Sequence, residues 1–179
     1  MTICVAYKQN GKVYCASDTR VSAGDSCGKD RTEKIFKKGG IIYCCAGDLK
    51  TNQALRYEFD FNMPNNYGLV EDVIYNDFRR SLKAFLKDNP EYLSKKGEFK
   101  DELMIIADNK IFIFNCDFSI TEPTFNYYCI GCGSDSGFAA LYALNKVKGI
   151  STKNKIKFAI EAAGEFCNGC NKEVCWFEE

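Results

Sequence analysis

Residues 2–20 of the chain read TICVAYKQNGKVYCASDTR. Two apolar, β-prone runs flank the pair Asn10-Gly11, which favours a tight two-residue turn. The pattern therefore predicts an antiparallel hairpin whose first strand starts next to the initiator methionine. A hairpin of this length returns the chain to its starting point, so the residues after the second strand, Asp18-Thr19-Arg20, are expected to lie near the amino terminus.

The rest of the chain predicts strands and helices in blocks. Strands are expected at 41–46, 103–107, 110–114 and 127–130, and helices at 49–61, 70–87, 136–146 and 152–166. The helix at 70–87 carries apolar residues three and four positions apart, which requires a packing partner. We interpret residues 22–26 as a small polar loop and Gly39-Gly40 as a second hairpin turn. This order of elements alone predicts an α+β fold.

Composition limits the class of protein. The chain has 179 residues, 46% of them hydrophobic, which suits one domain over 1–179 with one ordinary core. Lys plus Arg and Asp plus Glu both number 24, so charge gives no reason to expect nucleic acid as a partner. An apolar stretch of membrane-spanning length and a signal peptide are both missing from the sequence, so a cytoplasmic protein with no membrane partner is expected.

Thr2 is the first candidate for catalysis. The chain contains no histidine, which excludes Ser–His and Cys–His hydrolases and any histidine-ligated metal site. A small second residue allows an aminopeptidase to remove Met1, leaving Thr2 with a hydroxyl nucleophile and a free α-amine. An α-amine has a pKa of about 7.7–8.0 and can serve as the base that a hydroxyl needs.

The 11 cysteines are the second unusual feature. Their odd number and the missing signal peptide argue against a disulfide framework. Two CxxC pairs, Cys129/Cys132 and Cys167/Cys170, could form a four-thiolate zinc site, although the separation of the pairs is longer than in a zinc ribbon. The other interpretation, reduced thiols that pack as small apolar side chains, stays open beside it.

Three blocks of sequence together resemble a known family. The first block comprises Thr2, Ser17-Asp18-Thr19-Arg20, Thr32-Glu33-Lys34-Ile35 and Ala46-Gly47-Asp48. The second is a Gly-flanked turn at 129–134 followed by an apolar helix, and the third is an alanine-rich helix with its loop at 159–170. In this order and spacing, the blocks resemble the N-terminal-nucleophile hydrolases of the proteasome β-subunit family, in particular its bacterial HslV and Anbu types.

The resemblance implies a fold and an activity. The fold would be a four-layer αββα sandwich of two antiparallel sheets. The activity would be that of a threonine-type endopeptidase subunit in a homo-oligomeric, self-compartmentalising ring that takes peptides or unfolded proteins. A separate ATP-dependent unfoldase is implied as a partner, since the chain has no P-loop of its own. The resemblance implies that no cofactor is required, and it allows a bound monovalent or divalent cation.

Carried over position by position, the resemblance assigns three catalytic roles. The Thr2 hydroxyl would attack the scissile carbonyl, with its own amine as general base acting through a water. Lys34 would lie close to Thr2 and lower the pKa of its hydroxyl and amine. Asp18 would pair with Lys34 and hold it in place.

The remaining positions depart from the family pattern. Cys132 stands where the family has a serine that hydrogen-bonds the threonine amine, so a thiol, or Ser134 instead, would supply this bond. Cys44 is expected at the oxyanion position, where the backbone N–H is the donor. Glu165 is expected as the acidic partner beyond the alanine-rich helix.

The same loop is expected to hold the cation. By the resemblance, Gly164, Cys167 and Cys170 would bind it through their backbone carbonyls.

Two alternatives follow from the departures. Cys44 and Cys132 allow a catalytically inactive subunit that keeps the sandwich and the ring. The two CxxC pairs allow a zinc-stabilised binding module.

Overall fold

The computed structural model describes residues 2–23, 26–29 and 33–177. The strands are β1 Cys4–Gln9, β2 Lys12–Asp18, β3 Arg20–Ala23, β4 Ser26–Lys29, β5 Ile35–Lys38, β6 Ile41–Ala46, β7 Glu102–Ala107, β8 Lys110–Phe114, β9 Ile120–Thr121, β10 Tyr127–Ile130 and β11 Val174–Phe177. The helices are α1 Leu49–Tyr57, α2 Val70–Asp72, α3 Arg79–Asp88, α4 Ser134–Leu144 and α5 Thr152–Phe166, with a π-helical turn at Val73–Phe78 and a 3₁₀ turn at Pro90–Tyr92.

Two antiparallel sheets form the centre of the fold. One has the strand order β10-β1-β2-β11 and the other β5-β6-β7-β8-β9, while β3 and β4 form a separate hairpin. Because β1 pairs with both β2 and β10, and β2 also pairs with β11, the two residues before β1, Thr2 and Ile3, are close to the ends of three other strands. This arrangement brings distant parts of the sequence to Thr2.

Alternation along the strands produces the layers. In β6, Cys44 and Ala46 face the other sheet, whereas Tyr43 and Cys45 face the helices. Helices α1 and α3 cover the outer face of the five-stranded sheet, and α4 and α5 cover the outer face of the four-stranded sheet. The αββα sandwich implied by the sequence resemblance is therefore confirmed.

The two strongest hairpin predictions are confirmed. Asn10 and Gly11 both have positive φ, 51° and 75°, as a type I′ turn requires. Asp108 and Asn109 join β7 and β8 with φ values of 48° and 56°.

The helix predicted at 49–61 ends at Tyr57, four residues early. Beyond it, the rings of Phe59 and Phe61 contact Phe78 at centroid distances of 5.7 and 5.2 Å. Both rings can pack on Phe78 because the chain after Tyr57 is no longer helical. The helix predicted at 70–87 is present as a continuous helical segment from 70 to 88, in which the π-helical turn lies between α2 and α3.

Two further expectations need correction. The polar segment at 22–26 lies mostly in the hairpin of β3 and β4, although residues 24 and 25 fall outside the described ranges. Where its side chains are described, at 20–22 and 26–28, this hairpin is half-buried on β3 and exposed on β4, so these positions lack the alternation that identifies a buried strand. The helix predicted at 136–146 runs from Ser134 to Leu144.

The helices in the described ranges are all too short or too polar to cross a lipid bilayer.

Candidate active site

Thr2 lies two residues before the start of β1 and is 4% exposed. Its carbonyl oxygen accepts the N–H of Gly133 at 3.3 Å, in the turn that leads from β10 to α4. Gly131, in the same turn, has a φ of 95°, and a Cβ there would lie 2.2 Å from the Thr2 carbonyl oxygen. Only glycine allows the two backbones to come this close, so the turn fixes the position of Thr2.

Asp18 and Lys34 form a buried ion pair beside Thr2. The Lys34 Nζ lies 2.6 Å from Asp18 Oδ1, and the two side chains are 11% and 0% exposed. The same carboxylate accepts the backbone N–H groups of Ile3 at 2.9 Å, Arg20 at 3.2 Å and Asn171 at 3.3 Å. Four donors thus hold Asp18, one of them from the residue that follows Thr2, so Lys34 is oriented relative to the start of β1.

A cleft of about 550 Å³ opens at this point. Its lining comprises Thr2, Arg20, Val21, Ser22, Lys34, Cys45, Gly47, Asp48, Leu49 and Asn52. The cleft therefore contains the proposed nucleophile and the proposed cation together with the end of β6 and the start of α1. A concave site with a few convergent polar groups is where a substrate is expected.

Cys44 does not lie at the cleft, which corrects the expected position of the oxyanion donor. It is fully buried between the sheets and stands opposite Ile35 in β5 and Met104 in β7. Gly47 lines the cleft instead, with a φ of 146°, and a Cβ at this position would meet Asp101. The matched block Ala46-Gly47-Asp48 could have pointed to Gly47, because its positive φ and its close approach to Asp101 both favour a glycine at this position.

Cys132 lies where the resemblance placed it. Its Sγ is 3.3 Å from the Thr2 nitrogen and 3.5 Å from the Thr2 carbonyl oxygen. Ser134 opens α4, and among the described residues its side chain makes no hydrogen bond to Thr2. Of these two candidates, the structure brings only Cys132 to Thr2.

Glu165 lies apart from this group. It is 54% exposed at the end of α5 and forms an ion pair with Lys172, which lowers the pKa of its carboxyl through a hydrogen bond and the positive charge. The carboxylate is stabilised by a surface lysine, so the expected acidic partner of the site is corrected. Cys167, two residues later, approaches the site instead, because its Sγ lies 3.3 Å from the carbonyl oxygen of Cys132.

The loop expected to bind a cation follows α5. The carbonyl oxygen of Cys167 accepts the N–H of Cys170 at 3.0 Å, so one of its two lone pairs is already used. Gly164 is packed against the backbone of Asn171 and Lys172, so a Cβ there would clash. Binding of a cation through the carbonyls of Gly164, Cys167 and Cys170 stays a prediction.

Sequence reasoning missed Asn171. Its backbone N–H binds Asp18, and its side chain accepts the N–H of Thr19 at 3.2 Å and donates to the Thr19 hydroxyl at 3.0 Å. An asparagine in a loop is ordinarily interpreted as a turn residue, so the sequence carried no signal for this contact. Of the residues quoted for the resemblance, Thr32 lies outside the described residues, as does Met1.

Comparisons with known proteins point to the family that the sequence resembles. No family model matches the chain. The ATP-dependent protease subunit HslV of Petrotoga mobilis is 25% identical over 177 residues, covering 97% of this chain and 94% of its own. The HslV subunit of Campylobacter lari is 28% identical over 178 residues, with coverage of 97% and 93%.

Solved structures show the same fold. Thiobacillus denitrificans BPH, solved alone and in complex with epoxomicin, superposes with TM-scores of 0.81 and 0.82 at 20% identity, covering 98% of this chain and 96% of its own. Eukaryotic HslV from Trypanosoma brucei gives a TM-score of 0.70 at 15% identity over 99% of both chains. The resemblance of this chain to the proteasome β-subunit family, and within it to HslV, therefore holds over nearly its whole length.

Proposed function

We propose that this chain is a threonine-type endopeptidase of the HslV kind, with Thr2 as its nucleophile once Met1 has been removed. One observation carries the proposal: Thr2 shares a cleft with Lys34, whose ammonium is held by the buried carboxylate of Asp18. A hydroxyl, an adjacent amine and a fixed cation are the groups that histidine-free acyl transfer requires.

The proposed reaction has two steps. The Thr2 hydroxyl adds to the scissile carbonyl while its amine, through a water, takes the hydroxyl proton and passes it to the leaving amine. The Gly47 N–H is the candidate donor to the developing oxyanion. The C–N bond breaks, an ester on Thr2 forms, and a water activated by the same amine hydrolyses it. Lys34 stabilises the deprotonated oxygen throughout.

The assembly and its partner belong to the same proposal. Relatives named as ATP-dependent protease subunits suggest a homo-oligomeric ring that works with a separate ATP-dependent unfoldase in the cytoplasm, on peptides or unfolded proteins. Enclosure of the active sites inside the ring would admit unfolded chains and exclude folded proteins.

A second candidate function is that of an inactive ring subunit. The observation in its favour is Cys132, because a thiol is a weaker hydrogen-bond partner for the Thr2 amine than a hydroxyl. This candidate predicts the same assembly without hydrolysis.

Removal of Met1 is the experiment that separates the two candidates. Protein produced with active methionine aminopeptidase should hydrolyse an unfolded protein substrate, whereas protein that retains Met1 should not, since its Thr2 nitrogen is an amide. Intact mass identifies the two forms, and gel filtration checks that they assemble equally. Assembled protein that lacks Met1 and still fails to hydrolyse the substrate, with or without the unfoldase, would favour the inactive subunit.

Cys132→Ser should keep or raise the rate of peptide hydrolysis. A hydroxyl bonds the Thr2 amine more strongly than a thiol and orients it better as a base. Cys116→Ser, which alters an exposed cysteine after β8, is the control and should not change the rate. A large loss of rate in Cys132→Ser, with an unchanged melting temperature, would show that the thiol itself is needed.

A further inference from the structure

Three thiols converge beside Thr2. The Sγ atoms of Cys132, Cys167 and Cys170 all lie within 4.8 Å of one another, and those of Cys132 and Cys170 are 3.9 Å apart. The cysteines come from two distant segments, the turn before α4 and the loop after α5. Cys129, the fourth member of the two CxxC pairs, is buried against Gly137 and is not part of this group.

One sulfur–sulfur distance and one sulfur–nitrogen distance in this group are close to those of tetrahedral coordination. A zinc ion with Zn–S bonds of 2.3 Å separates its sulfur ligands by roughly 3.8 Å, and a nitrogen ligand lies roughly 3.6 Å from each sulfur. The Cys132 and Cys170 sulfurs are close to the first value. The Thr2 nitrogen, 3.3 Å from Cys132 Sγ, is close to the second.

Packing holds the thiols in this arrangement without a metal. A Cβ on Gly133 would lie 2.7 Å from Cys170 Sγ, so the turn carrying Cys132 rests directly on Cys170. The loop carrying Cys167 and Cys170 is in turn fixed by the bonds from Asn171 to Asp18 and Thr19. A site held by its own scaffold binds metal without a large ordering cost.

We propose that Cys132, Cys167 and Cys170 form a three-thiolate site for a thiophilic cation such as Zn²⁺, with the freed α-amine of Thr2 as the fourth ligand. Binding displaces the thiol protons to the buffer and occupies the amine lone pair. Because that lone pair is the base in the proposed function, on which this consequence rests, bound zinc would switch hydrolysis off. Soft sulfur ligands select Zn²⁺ over Mg²⁺ or Ca²⁺, which prefer oxygen.

Exposure and thiol acidity suit metal entry. Cys132 is exposed, Cys167 is half-buried and Cys170 is 3% exposed, so a cation can reach the site from the side of Cys132. Burial raises the pKa of the Cys167 thiol, but hydrogen bonds with the Gly169 backbone and the two other thiols outweigh it and lower that pKa. Burial and the Asp18 carboxylate raise the pKa of the Cys170 thiol.

Cobalt(II) and zinc(II) titrations test the site independently of hydrolysis. Fully reduced wild-type protein lacking Met1 should bind one cobalt ion per chain, with the thiolate-to-metal charge-transfer band and the visible bands of a tetrahedral complex. Loss of an outer-shell partner alone weakens metal binding roughly 10–100-fold, so loss of a ligand in Cys167→Ser should cost at least as much. The control Cys116→Ser should bind like wild type.

Two further forms separate this proposal from the proposed function. Thr2→Ala also loses Met1, keeps the α-amine, and should bind cobalt like wild type although it cannot hydrolyse substrate. Protein retaining Met1 lacks the amine and should bind more weakly. In wild type, zinc should inhibit hydrolysis reversibly, and a chelator should restore it.

The proposal is overturned if reduced wild-type protein binds cobalt no more tightly than Cys167→Ser, or if Cys116→Ser loses binding to the same extent. It is equally overturned if mass spectrometry after mild oxidation shows a Cys132–Cys170 disulfide while the reduced protein binds no metal. Melting temperatures of all variants, measured without metal, show whether weaker binding comes from misfolding.

Discussion

Thr2→Ala should abolish peptide hydrolysis and leave the fold intact. Removing the nucleophile from a hydrolase costs on the order of 10⁴- to 10⁶-fold in kcat. The substitution deletes a hydroxyl and a methyl at a position held mainly through its backbone by Gly133, so the melting temperature should change little. Alanine is also small enough for Met1 to be removed, so the α-amine stays and only the hydroxyl chemistry is tested.

Two variants control for this result. Thr2→Ser keeps a hydroxyl nucleophile and should retain measurable turnover. Thr152→Ala removes another buried threonine, at the start of α5 and outside the cleft, and should not change kcat. Undiminished turnover in Thr2→Ala would remove Thr2 from the mechanism.

Lys34→Met should have the second largest effect. Methionine keeps much of the lysine volume but removes the charge, and loss of one electrostatic donor at the reacting oxygen costs roughly 10²–10³-fold in kcat. Asp18 keeps three backbone N–H donors but loses its buried counter-charge, so stability should also fall, by about 1–3 kcal/mol. Lys34→Arg should not rescue the rate, because a planar guanidinium cannot occupy the same point.

Asp18→Asn tests the other half of the ion pair. Replacing one carboxylate oxygen by an amide NH2 group sets a donor against the N–H donors that Asp18 accepts, so both rate and stability should fall. Lys110→Met is the matched control, since it breaks the ion pair with Glu71, outside the cleft. Kinetics and thermal melts of the four variants together check this prediction. Retention of most activity in Lys34→Met, with normal assembly, contradicts the proposed role of the cation.

Much of the fold could be predicted because the turn residues and the apolar alternation of the strands favour the same structure that the core packing requires. The turns at Asn10-Gly11 and Asp108-Asn109 need positive φ, and the flanking strands alternate toward the two faces of their sheets. Residues 22–26 were interpreted as a loop because their hairpin is exposed and lacks that alternation. The end of α1 was misplaced because Phe59 leaves the helix to reach Phe78, a contact between distant residues.

The sequence could predict only those site residues whose charged side chains are part of the matched blocks. Asp18 and Lys34 follow from the matched blocks, and the structure pairs them. Cys44 and Glu165 are assigned only by their places in the family pattern, which cannot show that one residue is buried between the sheets and the other faces a surface lysine. The thiol group was visible only as two CxxC pairs, because its members meet through the packing of the turn before α4 on the loop after α5.

Labelling with epoxomicin tests the central claim, that Thr2 is the nucleophile, most directly. Thiobacillus denitrificans BPH has been solved in complex with epoxomicin, and the proposed function extends binding of this compound to the present chain. Reduced, metal-free protein should be incubated with the compound, digested, and its amino-terminal peptide analysed by mass spectrometry. We predict a peptide that begins at Thr2 and carries one epoxomicin on that residue, with no such adduct in Thr2→Ala. A peptide that lacks Met1 but carries no adduct, or an adduct on another residue, would contradict the account.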